Sequence, residues 1–252
     1  MNIKYDKEKS QFFTNQILNK FDERNKTSKR GTALHVSDLT GCLMKPYCRI
    51  IGVEQEPFDD TLKGIMVYGI VAEEVIGWGY SKDAFQYAAS TAISTEDFTD
   101  CISGHVDIME LKDGKKYPIE VKSTRKNVLT KKDIPIHWLE QLLSYMAMHD
   151  ANTGWIVFYS ILATSIIAFR VDVTDKDNQE WIAVLQKRAK SIRVAQKTGN
   201  PENIEIRPEN YPYCGYKHGC PRVEECRDKH QEMLKQKQEK RNQQKEKSGP
   251  LD

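Results

Sequence analysis

The chain has 252 residues, a formal net charge of +2 and 39% hydrophobic residues, which suits one α/β domain with a small appended module. A charge this close to zero neither requires nor excludes a nucleic-acid partner, because the clustering of Lys and Arg on the surface decides that. No segment approaches the roughly 20 apolar residues that span a membrane, and the N-terminus MNIKYDKEKS is too polar for a secretory signal. We therefore expect a cytoplasmic protein with no membrane partner.

Hydrophobic periodicity predicts helices and strands that alternate along the chain. Ser37 or Asp38 is expected to cap a short helix that carries Cys42. Further helices are predicted for the amphipathic run within residues 1–30, for a mostly buried segment at 61–80, and for 136–149 and 176–197; strands are predicted within 84–121 and at 155–162 and 165–173. Residues 227–252 are polar and basic, which predicts a solvated helix or a flexible tail.

The segment with the strongest chemical signal is a predicted β-hairpin. Asp113-Gly114 is typical of a two-residue hairpin turn, and counting outward from it places Asp107 opposite Glu120. Lys122 lies two residues beyond Glu120 and so shares its face. Pro118 cannot donate to the ladder, so a bulge there could shift this register by one residue. In the unshifted register, two carboxylates and one ammonium group meet on one face of the sheet.

Two neighbouring carboxylates repel each other unless a cation lies between them. Oxygen ligands of this kind suit Mg²⁺ or Mn²⁺. A divalent ion bound there would polarise a phosphodiester and lower the pKa of a bound water, and Lys122 would orient that water or stabilise charge on the phosphate. An ordinary hairpin with surface charges explains the same residues equally well on this segment alone.

The order of these residues resembles the core of the PD-(D/E)XK nucleases, in which a strand with Asp is followed by a turn and a strand with Glu-x-Lys. In the RecB-like branch a helix with Gln-x-x-x-Tyr follows, and here that helix reads Gln141-Leu-Leu-Ser-Tyr145. The resemblance implies that Asp107, Glu120, Lys122, Gln141 and Tyr145 are catalytic. It also implies that the backbone carbonyl of Val121 joins Asp107 and Glu120 as a metal ligand.

The same branch carries an upstream helix of the form Gly-x-x-x-His-Glu. The matching stretch here is Gly69-Ile-Val-Ala-Glu73-Glu74, so Glu73 stands where the family has a metal-binding His. A carboxylate also binds Mg²⁺ or Mn²⁺, so Glu73 is a candidate ligand by position. The alternative is that Glu73 is an exposed residue of the helix surface.

Six cysteines in a reducing compartment do not predict disulfides. Cys214, Cys220 and Cys226 are closely spaced near the C-terminus, whereas Cys42 lies far upstream. Three clustered cysteines and one remote cysteine resemble the iron–sulfur site of RecB-like nucleases, above all the CRISPR-associated RecB-like exonucleases (the fourth Cas protein). The resemblance implies a cluster on Cys42, Cys214, Cys220 and Cys226, with 4Fe–4S favoured over 2Fe–2S.

Several alternatives for the cysteines stay open. Four cysteines also suit Zn²⁺, and His218 or His230 keeps a mixed zinc site possible. Cys48 could replace Cys42 as a ligand. Cys101 falls in a predicted strand and is interpreted as a small core residue.

The family resemblance covers most of residues 33–226. It implies a restriction-endonuclease-like α/β fold, with a mixed central sheet flanked by helices, an N-terminal helical lobe and a C-terminal Cys-rich iron–sulfur segment. We expect one nuclease domain over 1–226, with its core at approximately 61–175 and the iron–sulfur module formed by Cys42 and 198–226.

The implied activity is that of a metal-dependent DNA exonuclease that prefers single-stranded ends, with 5′→3′ polarity. The implied role is CRISPR adaptation, in which the enzyme trims spacer precursors beside the integrase proteins. The alternatives are a RecB-like nuclease of a virus, a plasmid or a repair system, and a catalytically dead DNA-binding module. The oligomeric state is left open.

Overall fold

A computed structural model of the chain describes residues 7–26, 32–95, 98–126, 130–162 and 165–248. Seven helices and six strands lie in these ranges. They are α1 Lys7–Lys26, β1 Leu34–His35, α2 Val36–Thr40, α3 Met44–Ile50, α4 Asp60–Gly77, β2 Phe85–Thr95, β3 Phe98–Lys112, β4 Lys115–Thr124, α5 Ile136–Met148, β5 Thr153–Ser160, β6 Ser165–Asp172, α6 Asp175–Thr198 and α7 Val223–Ser248. Short 3₁₀ turns lie at Lys82–Ala84, Lys131–Asp133 and Pro208–Tyr213.

The six strands form one mixed sheet in the order β1-β3-β4-β5-β6, and β2 pairs with β3 as well. The pairs β1–β3 and β4–β5 are parallel, and the remaining pairs are antiparallel. One face packs against α4 through Ala72, Ile108 and Val121, whereas the other packs against α5 and α6. The predicted α/β fold class, a mixed sheet flanked by helices, is therefore confirmed.

The β3–β4 hairpin has the turn and the register that the sequence predicts. Asp113 and Gly114 have φ of 52° and 73°, and two successive positive values are typical of a type I′ turn. Pairing continues from Lys112–Lys115 to Ile108–Ile119 without a slip. Pro118 pairs in register with Met109, so the bulge considered from the sequence does not form.

Strand β3 has neighbours along both edges. Strand β2 covers one edge from Phe98 to Ile108. On the other edge β4 pairs only as far as Ile108, and β1 pairs at Ile102 and Ser103. Strand β4 pairs with β5 along its opposite edge, from Ile119 to Thr124. Strands β3 and β4 therefore separate beyond their last pair, Ile108–Ile119, and we call this separation the fork.

Three local predictions prove wrong. Helix α2 begins after His35, whose capping box involves Asp38, and Cys42 follows that helix rather than lying in it, since the helix ends at Thr40. Cys101 is exposed, because the core-facing positions of β3 near it are Ile102 and Val106. Helix α4 is largely half-buried or exposed, and only Ala72 and Gly77 within it are buried.

The C-terminal segment is helical over most of its length. Helix α7 continues to Ser248, which agrees with the first of the two predicted forms; residues 249–252 lie outside the described ranges. Among the described residues, no helix is both long enough and apolar enough to cross a membrane.

Candidate functional site

The fork in the sheet places the two predicted carboxylates together. Asp107 directly precedes Ile108, and Glu120 directly follows Ile119. Both residues therefore lie next to the last β3–β4 pair, Ile108–Ile119. At the point where the ladder ends, the backbone N–H of Val121 donates to Oδ2 of Asp107 at 2.8 Å. At the fork, the Val121 N–H therefore has a side-chain acceptor in place of a backbone carbonyl of β3. This hydrogen bond fixes the Asp107 carboxylate against β4.

Glu120 is fully buried, and Asp107 is 9% exposed. Lys122 donates from Nζ to Oε1 of Glu120. Oε2 of Glu120 is buried and has no hydrogen-bond partner among the described residues. A buried polar atom without a partner is costly, so this oxygen marks a place where a ligand would be stabilised.

Burial and the neighbouring charges perturb every group in this set. Burial, followed by the charge of Asp107, raises the pKa of Glu120 to about 8. Burial also raises the pKa of Asp107, against the opposing charge of Lys122. Burial would lower the pKa of Lys122, but the charges of Glu120 and Asp107 outweigh it and raise that pKa. Perturbed carboxylates beside a cation are frequent at functional sites.

Glu73 approaches the carboxylates from α4. The helix begins at its N-cap residue Asp59, whose side chain accepts from the backbone N–H of Leu62 at 2.7 Å. Glu73 is half-buried, whereas Glu74 is exposed. The charge of Glu73 acts on both Glu120 and Lys122. Glu73 is therefore close enough to the fork to influence two of its charged groups.

Helix α5 borders the fork on the other side. Tyr145 is buried, and a Cβ added at Gly104 would lie 2.9 Å from its ring, so only glycine at that position lets the tyrosine pack on β3. The pKa of His137 is lowered by burial and then by the charge of Lys122. Gln141 lies one turn from each of these residues, so the three share one side of the helix.

His137, a lone histidine for which the sequence favours a structural role, is a neighbour of the site. It lies four residues before Gln141 in the sequence. A helical i, i+4 relation to a predicted site residue was the available signal for it.

The cysteine region consists of Cys42, Cys48, Cys214, Cys220 and Cys226. The Cys214 thiol raises the pKa of Cys42, and the thiols of Cys42, Cys214 and Cys220 raise the pKa of Cys226. Cys48, which the sequence analysis treats only as an alternative ligand, donates a hydrogen bond to Cys220. The structure thus brings the four predicted cysteines and Cys48 to one region between α3 and the start of α7.

Four thiols of this region, those of Cys42, Cys48, Cys220 and Cys226, have a shifted pKa. Burial raises the pKa of Cys42 and, with the neighbouring thiols, raises that of Cys226 to about 12. The Cys48 hydrogen bond lowers the pKa of Cys220. Over the described residues, no three His, Cys, Asp or Glu side chains already stand in the arrangement that holds a metal ion, here or at the fork.

A buried ion-pair network joins the two regions. Glu140, next to Gln141 on α5, accepts from Arg207 at 2.6 and 2.7 Å and from Arg188 at 3.2 and 3.0 Å. Arg188 and Arg207 also donate to the carbonyl oxygens of Leu39 and Thr40, the last residues of α2 before Cys42. Nothing in the local sequence around Glu140 predicts this network.

Neither family models nor curated proteins match the sequence. The crystal structure of SSO0001 is similar, with 18% identity, a TM-score of 0.57, and coverage of 83% of this chain and 96% of that one. A crystal structure of LHK-Exo in complex with dAMP has a TM-score of 0.46 at 13% identity, covering 66% of this chain and 91% of that one. A second structure of this alkaline exonuclease, from Laribacter hongkongensis, has a TM-score of 0.37 at 15% identity, covering 68% and 94%. The likeness to SSO0001 shows a shared fold.

Proposed function

We propose that this protein is a metal-dependent nuclease that hydrolyses phosphodiester bonds in DNA. One observation carries the proposal. Two buried carboxylates, Asp107 and Glu120, meet Lys122 at a fork in the sheet, and one oxygen of Glu120 is buried without a partner. A structural ion pair with Lys122 needs only one carboxylate, whereas a cation site needs the second carboxylate as a further ligand.

The residues at the fork fit a divalent cation. Asp107, Glu120 and the carbonyl of Val121 would supply the oxygen ligands that Mg²⁺ or Mn²⁺ prefers, and Glu73 would add a further carboxylate from α4. When bound, such an ion supplies Lewis-acid activation of a phosphodiester and of water. The partnerless oxygen of Glu120 supports this assignment, since a cation would satisfy it.

The remaining side chains position the substrate. Lys122 lies beside both carboxylates, and its ammonium group would be available to stabilise charge on the phosphate if a metal were held by Glu120. Gln141 and Tyr145 are proposed to orient the scissile phosphate from α5. Because Tyr145 packs on Gly104, its ring is held rigidly against β3.

The finer function is proposed on the family resemblance. It comprises exonuclease action on single-stranded DNA ends with 5′→3′ polarity, and a role in CRISPR adaptation beside the integrase proteins. A nuclease of a virus, a plasmid or a repair system is the alternative context. Glu73 in place of the family's His is the observation that favours a catalytically dead DNA-binding module.

A cleavage assay separates the enzyme from the binding module. The purified protein is incubated with DNA labelled at either end, with Mn²⁺, with Mg²⁺ or with EDTA. We expect progressive shortening of single-stranded DNA with either metal and none with EDTA. Binding without cleavage under all metal conditions would support the dead module and contradict the proposed enzyme.

Glu73 variants test the metal preference of the site. We expect Glu73→His to keep activity with Mn²⁺ and to lose relatively more with Mg²⁺, because a nitrogen ligand suits Mg²⁺ poorly. Glu73→Ala is expected to weaken both. Cleavage rate against metal concentration is the measurement, and Glu74→Ala, at the exposed neighbouring position, is the control. If Glu73→Ala matches the parent with both metals, Glu73 is not a ligand.

Metal binding at the fork is expected to release a proton. The pKa of Glu120 is about 8, so its carboxyl is protonated below that pH when no metal is bound, and the metal must displace this proton. The apparent affinity for Mn²⁺ should therefore rise about tenfold per pH unit up to pH of about 8 and then level. Titration calorimetry in buffers of different ionisation enthalpy measures the proton release. Affinity that is independent of pH between 6 and 8 would contradict the assignment of Glu120 as ligand.

We also propose that Cys42, Cys214, Cys220 and Cys226 hold an iron–sulfur cluster. Their shared region and mutual electrostatic influence support this, since thiolates are the usual ligands of such clusters. A bound cluster would supply a covalent tie between the N-terminal helices and the C-terminal segment. Zinc and the substitution of Cys48 for Cys42 remain the alternatives.

Serine variants test the cysteine assignment. Replacing any of the four cysteines is expected to remove the brown colour of anaerobically purified protein and to lower its solubility, because the metal site contributes folding free energy. Visible absorption and iron analysis are the measurements. Cys101→Ser, at an exposed position, is expected to keep the colour. Zinc without iron in the purified protein would contradict the cluster.

A further inference from the structure

A basic segment connects β4 to α5. This basic connection spans residues 123–135, of which the first two end β4, and includes Arg125, Lys126, Lys131 and Lys132, with Asp133 as its one acidic residue. The net positive charge of this segment is therefore larger than the net +2 of the whole chain. The four basic side chains are on exposed residues.

Both described parts of the basic connection, 123–126 and 130–135, are held by specific hydrogen bonds. Asp133 accepts from the backbone N–H and the hydroxyl of Thr130, each at 2.9 Å, and pairs with Lys126. The N–H of Lys126 donates to the Thr124 hydroxyl at 3.1 Å, and the Thr124 carbonyl accepts from the N–H of Ile161 at 2.9 Å. The basic side chains therefore extend from an ordered backbone, which lowers the entropic cost of binding an anion.

The basic connection joins two elements that carry site residues, β4 and α5. Arg125 is three residues after Lys122, which corresponds to about 10 Å of extended chain. Its other end leads into α5, where the charge of Lys122 acts on His137. A polyanion lying along this surface would therefore pass next to the two carboxylates.

We propose that the basic connection binds the phosphate backbone of a nucleic-acid strand next to the carboxylate site, through Arg125, Lys126, Lys131 and Lys132. The proposal deepens the proposed function and rests on it for the identity of the polyanion. Lys and Arg on exposed positions neutralise phosphates and release counterions without reading the base sequence. The surface thus holds the strand while the fork acts on one of its phosphodiesters.

The salt dependence of binding tests this surface. Binding of a fluorescein-labelled oligothymidylate is measured against salt concentration with the full chain carrying Asp107→Asn, which prevents cleavage. We compare this parent with the same chain carrying Lys131→Ala and Lys132→Ala. Loss of two phosphate contacts should lower the magnitude of the slope of log K against log salt by about 1.4, since each contact on a single strand contributes about 0.7.

A matched control is Lys187→Ala with Lys190→Ala, two exposed positions on α6, which should leave the slope unchanged. An unchanged slope in the Lys131/Lys132 variant, an equal fall in the control, or no binding by the parent would each overturn the proposal. Hydrolysis of bis(p-nitrophenyl) phosphate by the chain with Asp107 intact tests the fork separately, because this ester lacks a nucleic-acid backbone. Hydrolysis with an unchanged slope would refute the surface alone, and a changed slope without any hydrolysis would refute the nuclease alone.

Discussion

Asp107→Ala and Glu120→Ala are each expected to lower the rate of DNA cleavage by about 10³-fold or more, which corresponds to several kcal/mol of transition-state stabilisation. Each substitution removes a proposed metal ligand from a site where the two carboxylates stand next to Lys122. The measurement is the initial rate of cleavage of end-labelled single-stranded DNA at saturating Mn²⁺.

Glu110→Ala is the matched control for these variants. Glu110 lies on the same strand, three residues after Asp107, and projects to the opposite face. The Glu110→Ala variant should cleave DNA at close to the parent rate. Far-UV circular dichroism and thermal unfolding establish that all three variants are folded. Cleavage at near-parent rate by folded Asp107→Ala or Glu120→Ala would contradict the assignment of the fork as the active site.

Glu140→Ala is expected to lower the free energy of unfolding by about 3–5 kcal/mol, because it leaves two charged guanidinium groups buried without their common partner. Arg188 and Arg207 have side chains only 11% and 6% exposed, so water cannot replace the carboxylate. Denaturant unfolding measures the change. The same substitution removes the link between α2 and α5, since both guanidinium groups also donate to carbonyls of α2.

The pH dependence of the stability that Glu140 contributes has a defined sign. Hydrogen bonds and the charges of Arg207 and Arg188 outweigh burial and lower the pKa of Glu140 from 4.5. The contribution of Glu140 to stability is therefore present above pH of about 4.5 and is lost as the pH falls through the lowered pKa. Glu205→Ala is the control, because that side chain is 54% exposed and 3.7 Å from Arg207; it should cost less than about 1 kcal/mol. A loss below 1 kcal/mol for Glu140→Ala at neutral pH would refute a stabilising role of the network.

The sequence predicts those parts of the site that depend on local geometry. Asp113-Gly114 sets the turn, and the turn sets the register that brings Asp107 and Glu120 to the last pair of the ladder. The helix with Gln141 and Tyr145 follows from periodicity. These relations extend over few residues, so side-chain alternation and turn chemistry are sufficient to predict them.

The parts that were missed depend on contacts between distant segments. The fork exists because β4 pairs with β3 only as far as Ile108, whereas β1 pairs with β3 further along, at Ile102 and Ser103, and no local sequence pattern predicts that arrangement. Arg207 reaches Glu140 across 67 positions. Cys48 meets Cys220 because α3 packs in the same core cluster as Tyr216 and Cys220. The apolar composition of α4 predicted burial, but the sheet covers only one side of this helix.

Diffraction from crystals soaked in Mn²⁺ tests the central claim most directly, because the anomalous signal locates the ion without reference to activity. We expect an anomalous peak next to the carboxylates of Asp107 and Glu120 and to the Val121 carbonyl, with Lys122 displaced from Glu120. A fork without an anomalous peak, in which Lys122 still pairs with Glu120 at saturating Mn²⁺, would contradict it.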